Sequence, residues 1–171
     1  MRDTERRIVD FLGKEKKPVS MARLEEEAGA SHNGREVAAL LRERILREYW
    51  ELPKGRPGKL DYPDLTDTEK YNLGKIIPLL EKAKTPVRLD RLTEELRGQS
   101  ITDRDIHYVL SGLARHGEAI QFFDLNPRSD CGICFYHDEC VKAKKKLNPW
   151  LCQLFVSDWR EAVEGEVSKH A

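Results

Sequence analysis

The chain repeats itself. The segment "PVSMARLEEEAG" begins at Pro18, and "PVRLDRLTEELRG" begins at Pro86. At this offset of 68 residues, Pro18, Val19, Arg23, Leu24, Glu26 and Glu27 fall on Pro86, Val87, Arg91, Leu92, Glu94 and Glu95. Met21 falls on Leu89, another long apolar side chain. A repeat of this kind signals a duplicated supersecondary unit. The neighbours repeat as well. Before each copy lies a helical apolar face: Ile8, Val9 and Leu12 in the first, Leu73, Ile76, Ile77 and Leu80 in the second. Pro78 should kink or restart the latter helix. After each copy comes a longer amphipathic helix. The first is expected over residues 34–49, with Val37, Leu40, Leu41 and Ile45 inward and Ser31 or Asn33 as N-cap. The second is expected over 103–116, with Ile106, Val109, Leu110 and Leu113 inward and a capping box of Thr102 and Asp105.

Beyond each third helix the periodicity turns towards strands. "REYWELPKGRPGKLDYPDL" (47–65) reads as two short strands around "PKGRPGK", and "GEAIQFFDL" (117–125) as a strand followed by the turn "NPRSD". Three helices and then a β-hairpin is the order of a winged-helix domain. The expected fold is therefore mainly α with small β-wings. Tandem winged-helix domains, over 1–65 and 66–126, would be followed by a small cysteine-rich iron–sulfur domain over 127–171. That last segment is too short for a large core and needs a metal staple.

Hydrophobic residues make up 39% of the chain and charged residues 35%, a balance that suits small helical cores. No stretch approaches the roughly 20 apolar residues of a membrane span. The charged start "MRDTERRIVDF" has no signal-peptide core. An intracellular chain is expected, where cysteines serve metal or redox chemistry rather than structural disulfides. The 30 basic and 30 acidic residues cancel. A chain that coats nucleic acid unaided is basic overall, so DNA contact would be confined to one face and protein partners weigh as much.

All 4 cysteines lie together: Cys131, Cys134, Cys140 and Cys152, spaced C-x2-C-x5-C-x11-C. Zinc usually takes two CxxC knuckles, and only one exists here, although His137 would allow a Cys3His site. The asymmetric run favours a 4Fe–4S cluster, in which a loop wraps the cube and a distant cysteine closes it. Ile133, Phe135, Tyr136, Leu147, Trp150, Leu151, Leu154 and Phe155 offer an apolar shell for such a centre. Zinc, disulfides and free thiols remain the alternatives.

The same segment, "CGICFYHDEC…LNPWLC…DW", resembles the C-terminal part of the beta subunit of archaeal transcription factor E. It is similar also to the winged-helix subunit of the eukaryotic RNA polymerase III initiation heterotrimer. The matching features are the Cys-Gly-aliphatic-Cys start at 131–134 and the acidic pair Asp138-Glu139 before Cys140. Pro149 ahead of Cys152 and an aromatic-bearing tail reaching Trp159 match as well. Phe135 stands where the family pattern has proline, and the lysine run "KAKKK" replaces a glycine-containing spacer. The resemblance implies winged helices joined to a cubane 4Fe–4S cluster held by the four cysteines. It implies a transcription initiation factor subunit that forms a heterodimer with a second factor subunit. Such a subunit would bind the RNA polymerase clamp region and assist promoter opening, in an archaeal-type cytoplasm or in a nucleus.

Candidate nucleic-acid residues follow from the winged-helix reading. Arg35, Arg42 and Arg44 are expected on the first third helix, with Glu36 and Glu43 interleaved. Lys54, Arg56 and Lys59 lie in the Gly/Pro loop of the first wing, and Lys144, Lys145 and Lys146 in the densest basic run. A solvated helix face with paired charges would look the same. The mixed charges of Asp103, Arg104, Asp105, His107 and Arg115 suit protein docking better. His32, His107, His116 and His170 read as surface residues. An enzyme is not expected, since no GxSxG, P-loop or HExxH motif occurs. The chain also lacks the earlier cysteine and the glycine-rich hairpin of the DNA glycosylases that share C-x2-C-x5-C. A stand-alone winged-helix regulator that binds specific DNA and senses redox or iron is the second reading. An adaptor with a zinc knob is the third.

Overall fold

Helix-period apolar faces become helices where a cap or a favourable first turn starts them. The computed structural model describes residues 1–54, 65–127, 137–143, 148, 150 and 152. Among these, seven helices and four strands follow one another. The first repeat comprises α1 (Asp3–Lys14), β1 (Val19–Ser20), α2 (Met21–Ala28), α3 (Arg35–Arg42) and β2 (Leu46–Glu51). The second comprises α4 (Asp67–Lys82), β3 (Val87–Arg88), α5 (Leu89–Glu95), α6 (Asp103–Arg115) and β4 (Ile120–Leu125). Helix α7 (His137–Lys142) follows. No helix among the described residues is long and apolar enough to cross a membrane.

The inward faces agree with the spacing. Ile8, Val9 and Leu12 are buried on α1, and Leu73, Ile76, Ile77 and Leu80 on α4. The same holds for Ile106, Val109, Leu110 and Leu113 on α6. The capping box at α6 forms as expected: Asp105 N donates to Thr102 Oγ1 at 3.2 Å, and Thr102 N donates to Asp105 Oδ2 at 2.9 Å. Thr66 and Glu69 make the same box at α4. Pro78 does not restart that helix, which continues to Lys82.

Helix α3 departs from expectation. It ends at Arg42 instead of running towards Tyr49. Ile45 N donates to Leu40 O at 3.0 Å and Arg44 N to Leu41 O at 3.0 Å, the pair of bonds that closes a Schellman motif. Arg44 sits at the left-handed position, φ 59°, that glycine usually takes. In the second repeat the matching place is held by Gly117, φ 72°, and Glu118 N donates to Leu113 O at 2.9 Å. The stop after α3 was hidden because Ile45 continues the helical spacing and no glycine marks the turn. Its N-terminus differs as well. The N-cap is Gly34, while Asn33 Oδ1 accepts from Arg35 N at 3.1 Å and Ser31 turns to Glu36.

The four strands form one sheet in the order β1-β4-β2-β3. Strand β1 pairs antiparallel with β4, placing Val19 opposite Phe123 and Ser20 opposite Phe122. Strand β3 pairs antiparallel with β2, placing Val87 opposite Trp50 and Arg88 opposite Tyr49. The short strand of each repeat thus pairs with the long strand of the other. The exchange was not legible as two local hairpins. The second strand expected in the first wing falls in residues 55–64, outside the described residues. On β2, Leu46, Glu48 and Trp50 alternate inward and Arg47, Tyr49 and Glu51 outward, as a strand buried on one face requires.

By contacts the chain divides into two units, the second of which draws on both repeats. One comprises 1–16, 23–46 and 125–171, and the other 17–22 and 47–124. In the second unit Trp50 is fully buried in a cluster with Leu73, Ile76, Leu80, Leu92, Ile106 and Leu110, so a first-repeat strand completes a second-repeat core. Truncating a buried tryptophan of this kind costs about 3–5 kcal/mol. On the outward side of the sheet, Arg47 Nε and Nη2 donate to Asp124 Oδ1 and Oδ2 at 2.9 and 2.7 Å. Tyr49 Oη donates to the same carboxylate at 2.8 Å. Burial first, and then that hydrogen bond, push the Tyr49 hydroxyl up to about 12.

A non-glycine residue in the left-handed region carries roughly 1–2 kcal/mol of strain. Arg44→Gly is therefore expected to raise the unfolding free energy measured by chemical denaturation by up to about 1 kcal/mol, and Gly117→Arg to lower it by a similar amount.

Candidate functional site

Helix α3 presents the candidate nucleic-acid face. Arg35 and Arg42 are its first and last residues, both exposed, and lie two turns apart along one side, about 10 Å along the axis. Between them stand Ala38, exposed, and Ala39, half-buried, so no bulky side chain rises from the middle of the stripe. Glu36 does not interleave with the arginines on the solvent side as the sequence suggested. It is 4% exposed. Its carboxylate accepts from Ser31 Oγ at 2.6 Å and from Ser31 N at 3.1 Å. These bonds, led by the Ser31 hydroxyl, lower its pKa from 4.5 to about 2 despite burial. A buried carboxylate takes the serine that would otherwise cap the helix. Arg35 Nη2 still lies 3.6 Å from Glu36 Oε1, which orients its guanidinium. Glu43 remains exposed beside Arg42.

Lys54 follows β2, is exposed, and belongs to the other unit. Arg56, Lys59, Lys144, Lys145 and Lys146 lie outside the described residues, as do Cys131 and Cys134. Cys140 lies on α7, and Cys152 follows Trp150. Both are half-buried and free of disulfides. Two reduced, partly shielded thiols are the donor chemistry that a soft metal centre uses. His137 opens α7, with Nδ1 3.4 Å from Asp138 Oδ1. The approach to Cys152 is fastened to the first unit. Asn148, buried, donates from Nδ2 to Val9 O at 3.4 Å, and Trp150 Nε1 donates to Asn126 O at 3.0 Å. Gly13 on α1 leaves room for this contact: a Cβ at that position would lie 2.5 Å from Asn148 Nδ2, and the Asn148 side chain would have to shift.

The second unit holds a polar centre that sequence reading missed. Glu48 is 7% exposed. Its Oε2 accepts from Gln121 Nε2 at 2.7 Å and from Trp50 Nε1 at 3.2 Å, and lies 2.8 Å from His107 Nδ1. His107, expected as a surface residue, thus joins a buried carboxylate, and its ring meets Trp50 edge-on with centroids 6.4 Å apart. The hydrogen bond to Glu48 raises the His107 pKa above 6.5. The inward position of Glu48 between two buried strand residues, Leu46 and Trp50, was the available signal.

Two pH dependences follow, with opposite signs. The folded-state pKa of Glu36 is depressed, so its contribution is full above pH 4.5 and is lost as pH falls towards about 2. Glu36→Gln is expected to flatten that limb of a plot of urea midpoint against pH. The pKa of His107 is raised, so the stability of its pair with Glu48 is full below pH 6.5 and is lost as pH rises through the higher folded value. His107→Gln should remove that decline.

No family model, curated protein or solved structure matches the chain.

Proposed function

We propose that the chain is a transcription initiation factor subunit of the type its cysteine segment resembles. In this reading each repeat is a winged helix whose short strand is exchanged with the other copy. The four cysteines hold a 4Fe–4S cluster that staples the C-terminal segment. The free thiols of Cys140 and Cys152 suit that role, since thiolates are the usual ligands of such a cluster. The cluster would supply folding energy rather than catalysis, because its ligands are ordered by the metal.

One observation carries the reading most directly. The exposed stripe of Arg35 and Arg42 lies on the unit to which Asn148 and Trp150 fasten the thiol segment. With Glu36 committed to Ser31, the arginines are offered to phosphate, which positions a protein on DNA without reading sequence. A chain with no net charge binds duplex weakly by itself. Docked on RNA polymerase and a partner subunit, the same face would favour the open promoter complex by binding that state more tightly, which shifts the population towards it.

Anaerobically purified protein is expected to be brown, with about four irons and four sulfides per chain, and Cys140→Ser to bleach it. A colourless, fully folded, zinc-loaded sample would sink the cluster. In fluorescence anisotropy with a bubble-containing promoter duplex, Arg35→Glu combined with Arg42→Glu should weaken binding about tenfold or more and reduce the salt slope by about two. Homodimeric binding to a palindrome, untouched by polymerase, would point instead to a stand-alone regulator.

A further inference from the structure

Helix α6 buries one face and leaves a second one open. Opposite Ile106, Val109, Leu110 and Leu113 stand Arg104, Tyr108 and Arg115, all exposed, with Ser111 half-buried between them. At 3.6 residues per turn these four fall within an arc of about 60°, and the stripe runs about 16 Å along the helix. Tyr108 is 61% exposed, more than any other large apolar side chain among the described residues. Gly112, one turn beyond it, adds no side chain next to the ring. Arg115 Nη2 lies 3.8 Å from where a Cβ of Gly112 would be, so its guanidinium reaches back along the helix towards Tyr108. His107 flanks the stripe, with Nδ1 held by Glu48 and no hydrogen bond to Nε2 among the described residues.

Read as sequence, this helix is mixed in charge. The structure separates the charges. Asp105 Oδ2 accepts from Thr102 N and from Thr102 Oγ1, each at 2.9 Å. Asp103 Oδ1 accepts from Thr93 Oγ1 on α5. Both carboxylates are taken up at the first turn, on the two sides of Arg104, and no acidic residue falls on the stripe beyond them. What remains along the open face is an aromatic ring between two guanidiniums. An unpaired nucleic-acid strand has the complementary chemistry. Every base has a π-face that can stack on tyrosine, and its phosphates are anions that arginine neutralises. In a duplex the base faces are already stacked on one another. Helix α3 differs here, since Ala38 and Ala39 stand between its arginines and it offers no ring.

We propose that α6 binds an unpaired DNA strand, with a base stacked on Tyr108 and phosphates held by Arg104 and Arg115. The single-strand surface rests on this helix alone and needs neither the cysteines nor α3. That the strand is DNA rests on the promoter reading above.

The test is fluorescence anisotropy of the full chain with a labelled oligothymidylate, its ribo-counterpart and a blunt duplex. The deoxy single strand should bind several-fold more tightly than the duplex. Tyr108→Ala should weaken single-strand binding about tenfold, and Tyr108→Phe, which keeps the ring, should retain it. Arg104→Ala combined with Arg115→Ala should weaken it as well and reduce the slope of log affinity against log salt by about 1.4, from two phosphates. All three side chains are exposed, so these variants leave the core intact. A wild type that binds no single strand would overturn the proposal. So would single-strand binding that survives Tyr108→Ala, or that Tyr108→Phe loses as fully. Single-strand binding abolished by Arg35→Glu with Arg42→Glu but untouched by the α6 variants would assign the strand to α3 and overturn it too. Tyr108-dependent binding of the ribo-oligonucleotide alone would uphold the α6 surface and count against the promoter reading.

Discussion

Trp50 is the residue on which the described architecture turns. It comes from the strand after α3, pairs with Val87 of the other repeat, and is buried among Leu73, Ile76, Leu92 and Ile106. The helices of the second repeat are therefore not closed by their own long strand. The sheet follows from this exchange, with β2 and β4 in its centre and a short strand of the opposite repeat on each edge. A chain built this way couples its repeats through backbone hydrogen bonds as well as apolar contact. The second copy does not bury its hydrophobic face alone, since Trp50 of the first completes it.

Apolar burial excludes a one-residue slip, which would invert every side chain, but a two-residue slip keeps the same face inward. The polar groups of the central strands make that choice. Glu48 needs Gln121, Trp50 and His107 within hydrogen-bond reach at once. Asp124 needs Arg47 and Tyr49 on the opposite face of the sheet. A slip would strand a carboxylate in the interior, and breaking such a buried set costs several kcal/mol. Glu36 plays the corresponding part in the first unit by tying the start of α3 to Ser31. These carboxylates specify the arrangement that the aromatic residues stabilise.

The C-terminal segment is also integrated with what precedes it. Asn148, Trp150 and Asn126 link it to α1 and to the turn after α3, and Gly13 leaves room for the contact. A cysteine-rich tail read from sequence looks like an appended bead. Its described residues belong instead to the unit that carries Arg35 and Arg42.

Much was legible in the sequence by itself. The repeat, the buried faces of α1, α4 and α6, the Thr102–Asp105 cap and the clustering of the four cysteines are local features, set by side-chain periodicity and spacing within one element. What only the tertiary structure decided involves residues far apart in the chain. The end of α3 depends on Arg44 accepting a left-handed turn with Asn126 bonded to its carbonyl. The role of His107 depends on Glu48, 59 positions away. The pairing of Val19 with Phe123 and of Val87 with Trp50 depends on which long strand lies nearest when the helices pack. Periodicity states which face of a strand is buried. It carries no information about which of two similar repeats will supply the partner, because both copies offer the same short strand, and that choice is made only when the two cores form together.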